Sequence, residues 1–195
     1  MRTTYKDNAH LPQEYINSLL LLEKRNPAYY KIYALGEFGS LNKLVFNNWK
    51  VEAFDYTSLK GELLCGLDFG FTADPTAFIC SLLVEDKIYV FHEVFQKGLL
   101  NNQIAKIIRD NGFSKSIIIA DSAEMKSVEE IRREGITRIK PAEKGQGSVL
   151  QGIQKLQQYE IIVHPSCTNI IEELSNYSWQ KDKATNEYIN TPVDN

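Results

Sequence analysis

Several features that would place a protein in a membrane or outside the cell are missing from this sequence. No apolar run approaches the roughly 20 residues that a membrane-spanning helix needs, and residues 1–6 lack the apolar core of a signal peptide. The 3 cysteines are widely spaced and form no Cys-x-x-Cys pair, which argues against a disulfide framework or a cysteine zinc site. These absences favour a protein of the reducing cytoplasm that is not secreted.

An excess of basic residues is also missing. The formal net charge is −3 at pH 7, whereas a protein that holds nucleic acid by bulk electrostatics needs a basic surface for its phosphate contacts. A local exception is the stretch from 138 to 155, which contains the single acid Glu143 and four basic residues: Arg138, Lys140, Lys144 and Lys155. This basic stripe predicts either a weak contact with a nucleic-acid backbone or a solvated helix face.

The sequence does contain enough material for one sizeable core. Its 195 residues are 43% hydrophobic and 24% charged, as in an ordinary globular protein. Residues 1–60 differ from the rest, with a helix predicted over 11–25, an aromatic-rich helix over 26–36, an extended segment over 44–49 and a polar joint over 56–61. We therefore place a boundary near residue 60 and predict a helical linker or adaptor before it.

From residue 62 onward, apolar strands and amphipathic helices follow one another. The first three strands are predicted over 63–68, 76–84 and 87–95, and the short turn Glu85–Asp86 indicates an antiparallel hairpin. Further strands are predicted over 116–121, 136–139 and 161–163, and a second hairpin over 179–189. Helices are predicted over 99–110, 127–134, 149–159 and 168–177, the first two ending at glycine.

Three antiparallel strands followed by crossovers predict an α/β protein with a mixed sheet and helices on both faces. This strand order is characteristic of the ribonuclease-H-like fold. There the first strand lies beside the first strand that follows the crossover helix. Asp68 and Asp121 would then be neighbours, although 121 − 68 = 53 positions separate them.

Asp68 and Asp121 are the strongest candidates for chemistry because each ends an apolar strand. The carboxyl ends of strands in open α/β sheets border the ligand crevice. Two carboxylates held together resist joint ionisation unless a cation lies between them, and oxygen ligands suit a hard divalent ion. The simpler alternatives are a turn-forming aspartate before Gly70 and a helix N-cap at Asp121.

Other acids near these strand ends have less specific interpretations. Glu124 either caps the following helix or accepts a hydrogen bond from a metal-bound water. Asp74 precedes Pro75 and is interpreted as a turn residue. Glu93 alternates with its neighbours in the third strand, which indicates a surface position or one that borders the same crevice.

A short glycine loop over 144–148 precedes a predicted helix. Its backbone amides, with Lys144 and Ser148, could receive a phosphate, and Lys140 lies just upstream. The loop does not match the G-x-x-x-x-G-K-[ST] pattern of a nucleotide-binding P-loop, which occurs nowhere in the chain. We predict nucleic-acid contacts at these three residues, with a mobile connection as the alternative.

Taken together, the motifs resemble those of a known family. The segments are 66–70 (GLDFG) with 74–77 (DPTA), 120–124 (ADSAE) with 126–127 (KS), 144–148 (KGQGS) with 152–153 (GI), and 173–174 (EL) with Tyr177 and Trp179. They resemble the nuclease domain of tailed-bacteriophage large terminase subunits, and residues 4–8 and 33–39 resemble the segment that joins the ATPase domain to it.

The resemblance implies a metal-dependent endonuclease that cuts concatemeric viral DNA during genome packaging, using Mg²⁺ or Mn²⁺. It makes residues 1–60 a linker from the end of an ATPase domain and residues 61–195 the nuclease domain. Asp68 and Asp121 become metal ligands. The implied partners are double-stranded DNA, the portal protein, the small terminase subunit and the ATPase domain, in the cytoplasm of a bacterial host.

Two departures from the family pattern modify this expectation. No ATPase motif is present, and the family continues past a segment like 191–195 with a histidine and an aspartate that completes the metal site. Asp194 is the nearest substitute, and the nuclease domain is expected to be truncated and weak or inactive. The alternatives are a non-catalytic module that docks on DNA or the portal, an actin-like ATPase, and a ribonuclease-H-like resolvase.

Overall fold

The computed structural model describes residues 4–8, 10–25, 30, 34–36, 43–143 and 145–193. The chain divides into two compact units. One unit comprises residues 1–50, 147–160 and 172–195, and the other comprises residues 51–146 and 161–171. None of the described helices is long and apolar enough to cross a bilayer.

Nine strands, five α-helices and two 3-10 helices (Tyr5–Asp7 and Ser122–Glu124) form the regular structure of the described residues. The strands are β1 (Trp49–Val51), β2 (Glu62–Asp68), β3 (Thr76–Val84), β4 (Lys87–Gln96), β5 (Ile118–Ala120), β6 (Ile139–Pro141), β7 (Glu160–Val163), β8 (Trp179–Lys181) and β9 (Tyr188–Pro192). The helices are α1 (Gln13–Arg25), α2 (Asn101–Asp110), α3 (Met125–Arg133), α4 (Ser148–Leu156) and α5 (Thr168–Asn176).

The main sheet is mixed, in the order β1-β7-β4-β3-β2-β5-β6. Strands β2, β3 and β4 are successive antiparallel neighbours, and β5 lies parallel to both β2 and β6. The β3–β4 turn is tight because Glu85 adopts a left-handed conformation, with a φ of 53°. The predicted strand order, both hairpins and the mixed sheet are confirmed.

One face of this sheet carries the core of the second unit. Alternation along β2 points Cys65 and Leu67 to this side, where α2 and α3 cover them with apolar stripes. The buried cluster also includes Phe78, Cys80, Ile104, Ile108, Ile118, Val128, Ile131 and Ile139. We call this side the covered face.

The opposite side of the same strands, which we call the open face, leaves apolar side chains in contact with solvent. Leu64 is 37% exposed and Ile119 is 44% exposed. A depression of ≈ 470 Å³ lies over these residues together with Gly66, Ile79 and Ile117. The open face therefore combines apolar side chains with access from outside.

Helices α2 and α3 end in the same way, which sets the path of the chain after each. Gly112 and Gly135 have positive φ angles of 84° and 97°, and the next residue donates its N–H to a carbonyl five residues earlier: Phe113 to Ile108 and Ile136 to Ile131. The prediction of a strand over 136–139 is wrong by three residues, because Ile136 completes this helix end and β6 starts only at Ile139.

The first unit has a small interior of its own. Gln157, which is 0% exposed, donates from its side-chain amide to the carbonyl of Val45 at 2.8 Å. Asn48 donates to the carbonyls of Leu156 and Tyr159 at 2.9 and 2.6 Å. Trp179, the first residue of β8 in the β8–β9 hairpin, is buried. The predicted helix over 26–36 lies mostly outside the described residues.

The segment after β1 belongs to the second unit and packs on its strand β4. The Tyr56 ring stacks on Phe91 at 4.4 Å between centroids, and Phe91 packs against the core of the covered face. Asp55 accepts hydrogen bonds from the backbone and hydroxyl of Thr57, in the manner of an Asx turn. These contacts place the predicted polar joint against that core.

Candidate metal centre

Asp68 and Asp121 lie at adjacent strand ends. Leu67 of β2 and Ala120 of β5 are paired in the parallel ladder, and the N–H of Asp121 donates to the Leu67 carbonyl at 3.0 Å. Each carboxylate therefore follows directly on a paired, buried residue. Because side chains alternate along a strand, the exposed Asp68 points to the open face.

A groove joins the two carboxylates. It has a volume of ≈ 430 Å³ and is lined by Asp68 and Asp121, with a floor of small and apolar residues: Gly66, Ala77, Ile79, Ile119, Ala120 and Ala142. Asp121 is half-buried, and its side chain accepts a hydrogen bond from the N–H of Ala123 at 3.1 Å. The structure thus brings together two acids distant in sequence and fixes the orientation of one of them.

The loop that follows Asp68 has a conformation that requires glycine at position 70. A Cβ on Gly70 would lie 2.4 Å from the carbonyl oxygens of both Asp74 and Pro75, which no side chain tolerates. The hydroxyl of buried Thr76 donates to the Gly70 carbonyl at 2.7 Å. This close approach sets the exit of the chain from Asp68 and places Asp74 in the exposed part of the loop.

Glu124 and Glu93 lie outside the groove between the aspartates. Glu124 lines a neighbouring cavity of ≈ 320 Å³ with Phe69, Phe71 and Leu100, and Ser127 donates to its carboxylate at 3.3 Å. Glu93 instead accepts three hydrogen bonds from Asn169 and Ile170, at 2.8 to 3.0 Å. Its carboxylate therefore fastens the start of α5 to β4.

Two of the three residues predicted to contact nucleic acid, Lys140 and Ser148, lie in the described part of the chain. Lys140 is exposed and pairs with Ile119 in the ladder, so it points to the open face. Ser148 begins α4, after Gly147 with a φ of 77°. Lys144 and Asp194 lie outside the described residues.

The donor set of the groove fits a hard divalent cation as part of its ligand shell. Carboxylate oxygens are the preferred ligands of Mg²⁺ and related ions, and two of them converge on one open groove. Within the described ranges, no group of three or more His, Cys, Asp or Glu side chains is arranged to hold a metal. Asp68 and Asp121 would supply two ligands, and further ligands have to come from elsewhere.

Sequence reasoning overlooked one residue that the ladder places beside this groove. Asp68 pairs with Ala77, and Ala77 pairs with Phe95 of β4. Paired side chains point to the same face of a sheet, so Phe95 stands on the open face in the same row as Asp68. The alternation in β4 shows that Phe95 shares a face with Asp68 only when the register of the strands is known.

Fold and site together define a ribonuclease-H-like domain with a pair of carboxylates at neighbouring strand ends. The family model described as the terminase RNase-H-like domain matches residues 68–195, and one for the phage terminase large subunit matches residues 1–37. The chain belongs to the RNase-H-like domain family of phage large terminases. The resemblance drawn from its motifs is confirmed.

Relatives of known identity agree with this assignment. The chain is 32% identical to the large terminase subunit of Bacillus phage SPP1 over 93% of its length, covering 45% of that protein. It is 30% identical to the PBSX phage terminase large subunit of Bacillus subtilis strain 168, again over 93% of its length, covering 44% of that protein. It therefore spans less than half of the length of either relative.

The fold has a solved counterpart in one of these relatives. The crystal structure of the SPP1 g2p (large terminase) nuclease domain with bound Mn superposes with a TM-score of 0.71 at 30% identity. The match covers 76% of this chain and 89% of that domain. The predicted α/β mixed sheet of the ribonuclease-H-like class is confirmed.

Proposed function

We propose that this chain is a metal-dependent DNA endonuclease domain that cuts concatemeric viral DNA during genome packaging. The observation that carries the proposal is the shared groove of Asp68 and Asp121 at neighbouring strand ends. Family membership supports it, as does the Mn bound to the similar SPP1 nuclease domain. The place of action is the cytoplasm of a bacterial host, with double-stranded DNA as substrate.

Asp68 and Asp121 hold Mg²⁺ or Mn²⁺ in this proposal. A divalent ion there would supply Lewis-acid stabilisation of phosphodiester charge and would lower the pKa of bound water. The backbone of Ala123 orients the Asp121 carboxylate, and Lys140 on the open face offers a contact for a phosphate. We propose Lys144 and Ser148 as further contacts for nucleic acid.

We infer a two-ion site, which needs more ligands than two carboxylates provide. Asp194 is our candidate for a third ligand. Glu124 lines the adjacent cavity and is proposed to act on the site only through a hydrogen bond to a bound water. The proposed assembly partners are the portal protein, the small terminase subunit and an ATPase domain of the same parent protein, for which residues 1–60 are the linker.

Plasmid cleavage tests the proposal. The 195-residue chain is incubated with supercoiled DNA and Mn²⁺, Mg²⁺ or a chelator, beside Asp68→Asn and Asp121→Asn. We expect cutting that requires metal and falls by more than about 100-fold in both variants, because even residues surrounding a metal site contribute roughly 10- to 100-fold. The matched control is Asp55→Asn, an exposed turn aspartate, which should retain activity within about twofold.

The opposite outcomes are equally informative. Cutting that survives in chelator, or in Asp68→Asn, would rule out the proposed centre. Absence of cutting with every metal, together with a gel shift on DNA, would favour the second candidate function, a docking module without catalysis. The observation that favours this second function is that the described residues bring only two carboxylates into the groove.

A further inference from the structure

An aromatic side chain stands in the same ladder row as the candidate metal ligand Asp68. The row runs from Asp68 on β2 through Ala77 on β3 to Phe95 on β4. Neighbouring strands lie about 4.8 Å apart, so two strand spacings put the Phe95 backbone roughly 10 Å from that of Asp68. Ala77 contributes only a methyl group between them, which keeps the floor of the groove low.

Phe95 is presented to solvent by a rigid part of the sheet. Its side chain is 40% exposed, although β4 is an internal strand between β3 and β7. Two residues earlier, Glu93 points to the same face and is fixed by the backbone N–H groups of Asn169 and Ile170. The pairing with β3 and the start of α5 therefore hold this segment of β4 in place.

The ligand that best suits this exposed aromatic ring is a nucleobase. Nucleobases stack on aromatic side chains regardless of sequence, and apolar side chains can also wedge between base steps. Stacked bases are spaced by about 3.4 Å along a strand, so the separation of roughly 10 Å corresponds to about three base steps. A strand whose phosphate lies at Asp68 and Asp121 would then bring a nearby base over Phe95.

We propose that Phe95 contacts a nucleobase of the substrate strand and thereby positions the scissile phosphate in the Asp68–Asp121 groove. The inference rests on the proposed function, since it takes DNA as the ligand of that groove. Phe95 acts on binding and register. The carboxylates carry the chemistry, so changes at the two positions should affect different kinetic parameters.

The contact between Phe95 and a base is measured by the fluorescence of 2-aminopurine placed at successive positions of a DNA duplex. The buffer contains Ca²⁺, which also binds oxygen ligands. For Phe95→Ala we expect Kd to rise by roughly fivefold or more, the effect of losing one base–aromatic stack, and the position-specific fluorescence change to disappear. Phe95→Trp should retain both. Tyr56→Ala is the matched control, since Tyr56 is exposed but stacks on Phe91.

Cleavage kinetics with Mn²⁺ separate this inference from the proposed function. Phe95→Ala should raise KM by roughly fivefold with kcat within about twofold of the parent chain, whereas Asp121→Asn should lose kcat and still bind DNA. Cleavage without any effect of Phe95→Ala on KM, Kd or fluorescence would overturn the inference alone. Phe95-dependent fluorescence without cleavage would overturn only the proposed function.

Two further outcomes complete the test. If the chain binds no DNA, the inference is overturned. The alternative ligand of the exposed Phe95 ring would then be a protein segment that covers it. Folding of each variant is checked by thermal denaturation. If Phe95→Ala fails to fold, Phe95→Leu replaces it, because leucine keeps the apolar volume but removes the aromatic face. Leucine at this position should weaken binding as alanine does.

Discussion

The two faces of strand β2 differ sharply in how far their side chains are buried. On the covered face, Cys65 and Leu67 are 4% and 3% exposed within the core. On the open face, Leu64 is 37% exposed and Asp68 ends the strand beside Asp121. Buried and exposed positions alternate along the seven residues of β2. The same strand therefore supplies stability with one set of positions and candidate chemistry with the other.

Removing a large side chain from the covered face should have the largest effect on stability. Phe78 is 1% exposed, so Phe78→Ala leaves a cavity and should lower the free energy of unfolding by about 3–5 kcal/mol. Leu64→Ala on the open face should cost less than about 1 kcal/mol, because the side chain is already partly solvated. Urea denaturation followed by circular dichroism measures both, and equal losses would show that the open face is packed in solution.

Substitution of Asp121 should have a smaller effect on stability. This effect distinguishes the structural role of the carboxylate from its proposed role in cleavage. It caps the turn Ser122–Glu124 through the N–H of Ala123, and asparagine can make the same bond. In chelator, Asp121→Ala should lose about 0.5–2 kcal/mol of stability, while Asp121→Asn should lose little. Thermal denaturation distinguishes the two, although both should abolish metal-dependent cleavage. Equal melting temperatures would mean that the cap contributes nothing.

The smallest expected effect concerns pH and the histidine at the edge of the covered face. Burial lowers the pKa of His92, an effect that Glu93 partly opposes, and the ring packs near Phe113 with its Nε2 unpartnered among the described residues. The unfolded chain then takes up the proton first as pH falls. Stability from neutral His92 is fully present above about pH 6.5 and is lost as pH falls through the lowered folded value.

His92→Gln should therefore weaken the acid dependence of stability between about pH 7 and 5. The measurement is the unfolding free energy at each pH for both proteins, so that the carboxylates common to them cancel in the difference. A parallel pair of pH profiles would show that His92 is solvated in the folded state.

Local sequence signals predicted much of this fold because they act over a few residues. The apolar alternation of β2 to β4 and the glycines that end α2 and α3 set those elements within a residue or two. The neighbouring positions of Asp68 and Asp121 followed from the strand order. These features depend on period and turn chemistry, which a single sequence displays.

Other features depend on partners far along the chain. Glu93 binds the start of α5, 76 positions away, and no local pattern in β4 indicates that contact. Phe95 joins the row of Asp68 only through the register of two successive hairpins, one of which shifts between Cys80 and Ser81. The proposed third metal ligand, Asp194, lies outside the described residues.

The row of Asp68, Ala77 and Phe95 also fixes the distance between its members. Positions across a sheet are available only at multiples of about 4.8 Å, and a one-residue slip in register would turn the aromatic ring to the other face. The distance between the proposed metal ligand Asp68 and an aromatic ring in its row can therefore change only in steps of one strand spacing. The double variant Ala77→Phe with Phe95→Ala moves the ring from β4 onto β3. It would shorten the distance between the ring and Asp68 by one strand spacing, about 4.8 Å.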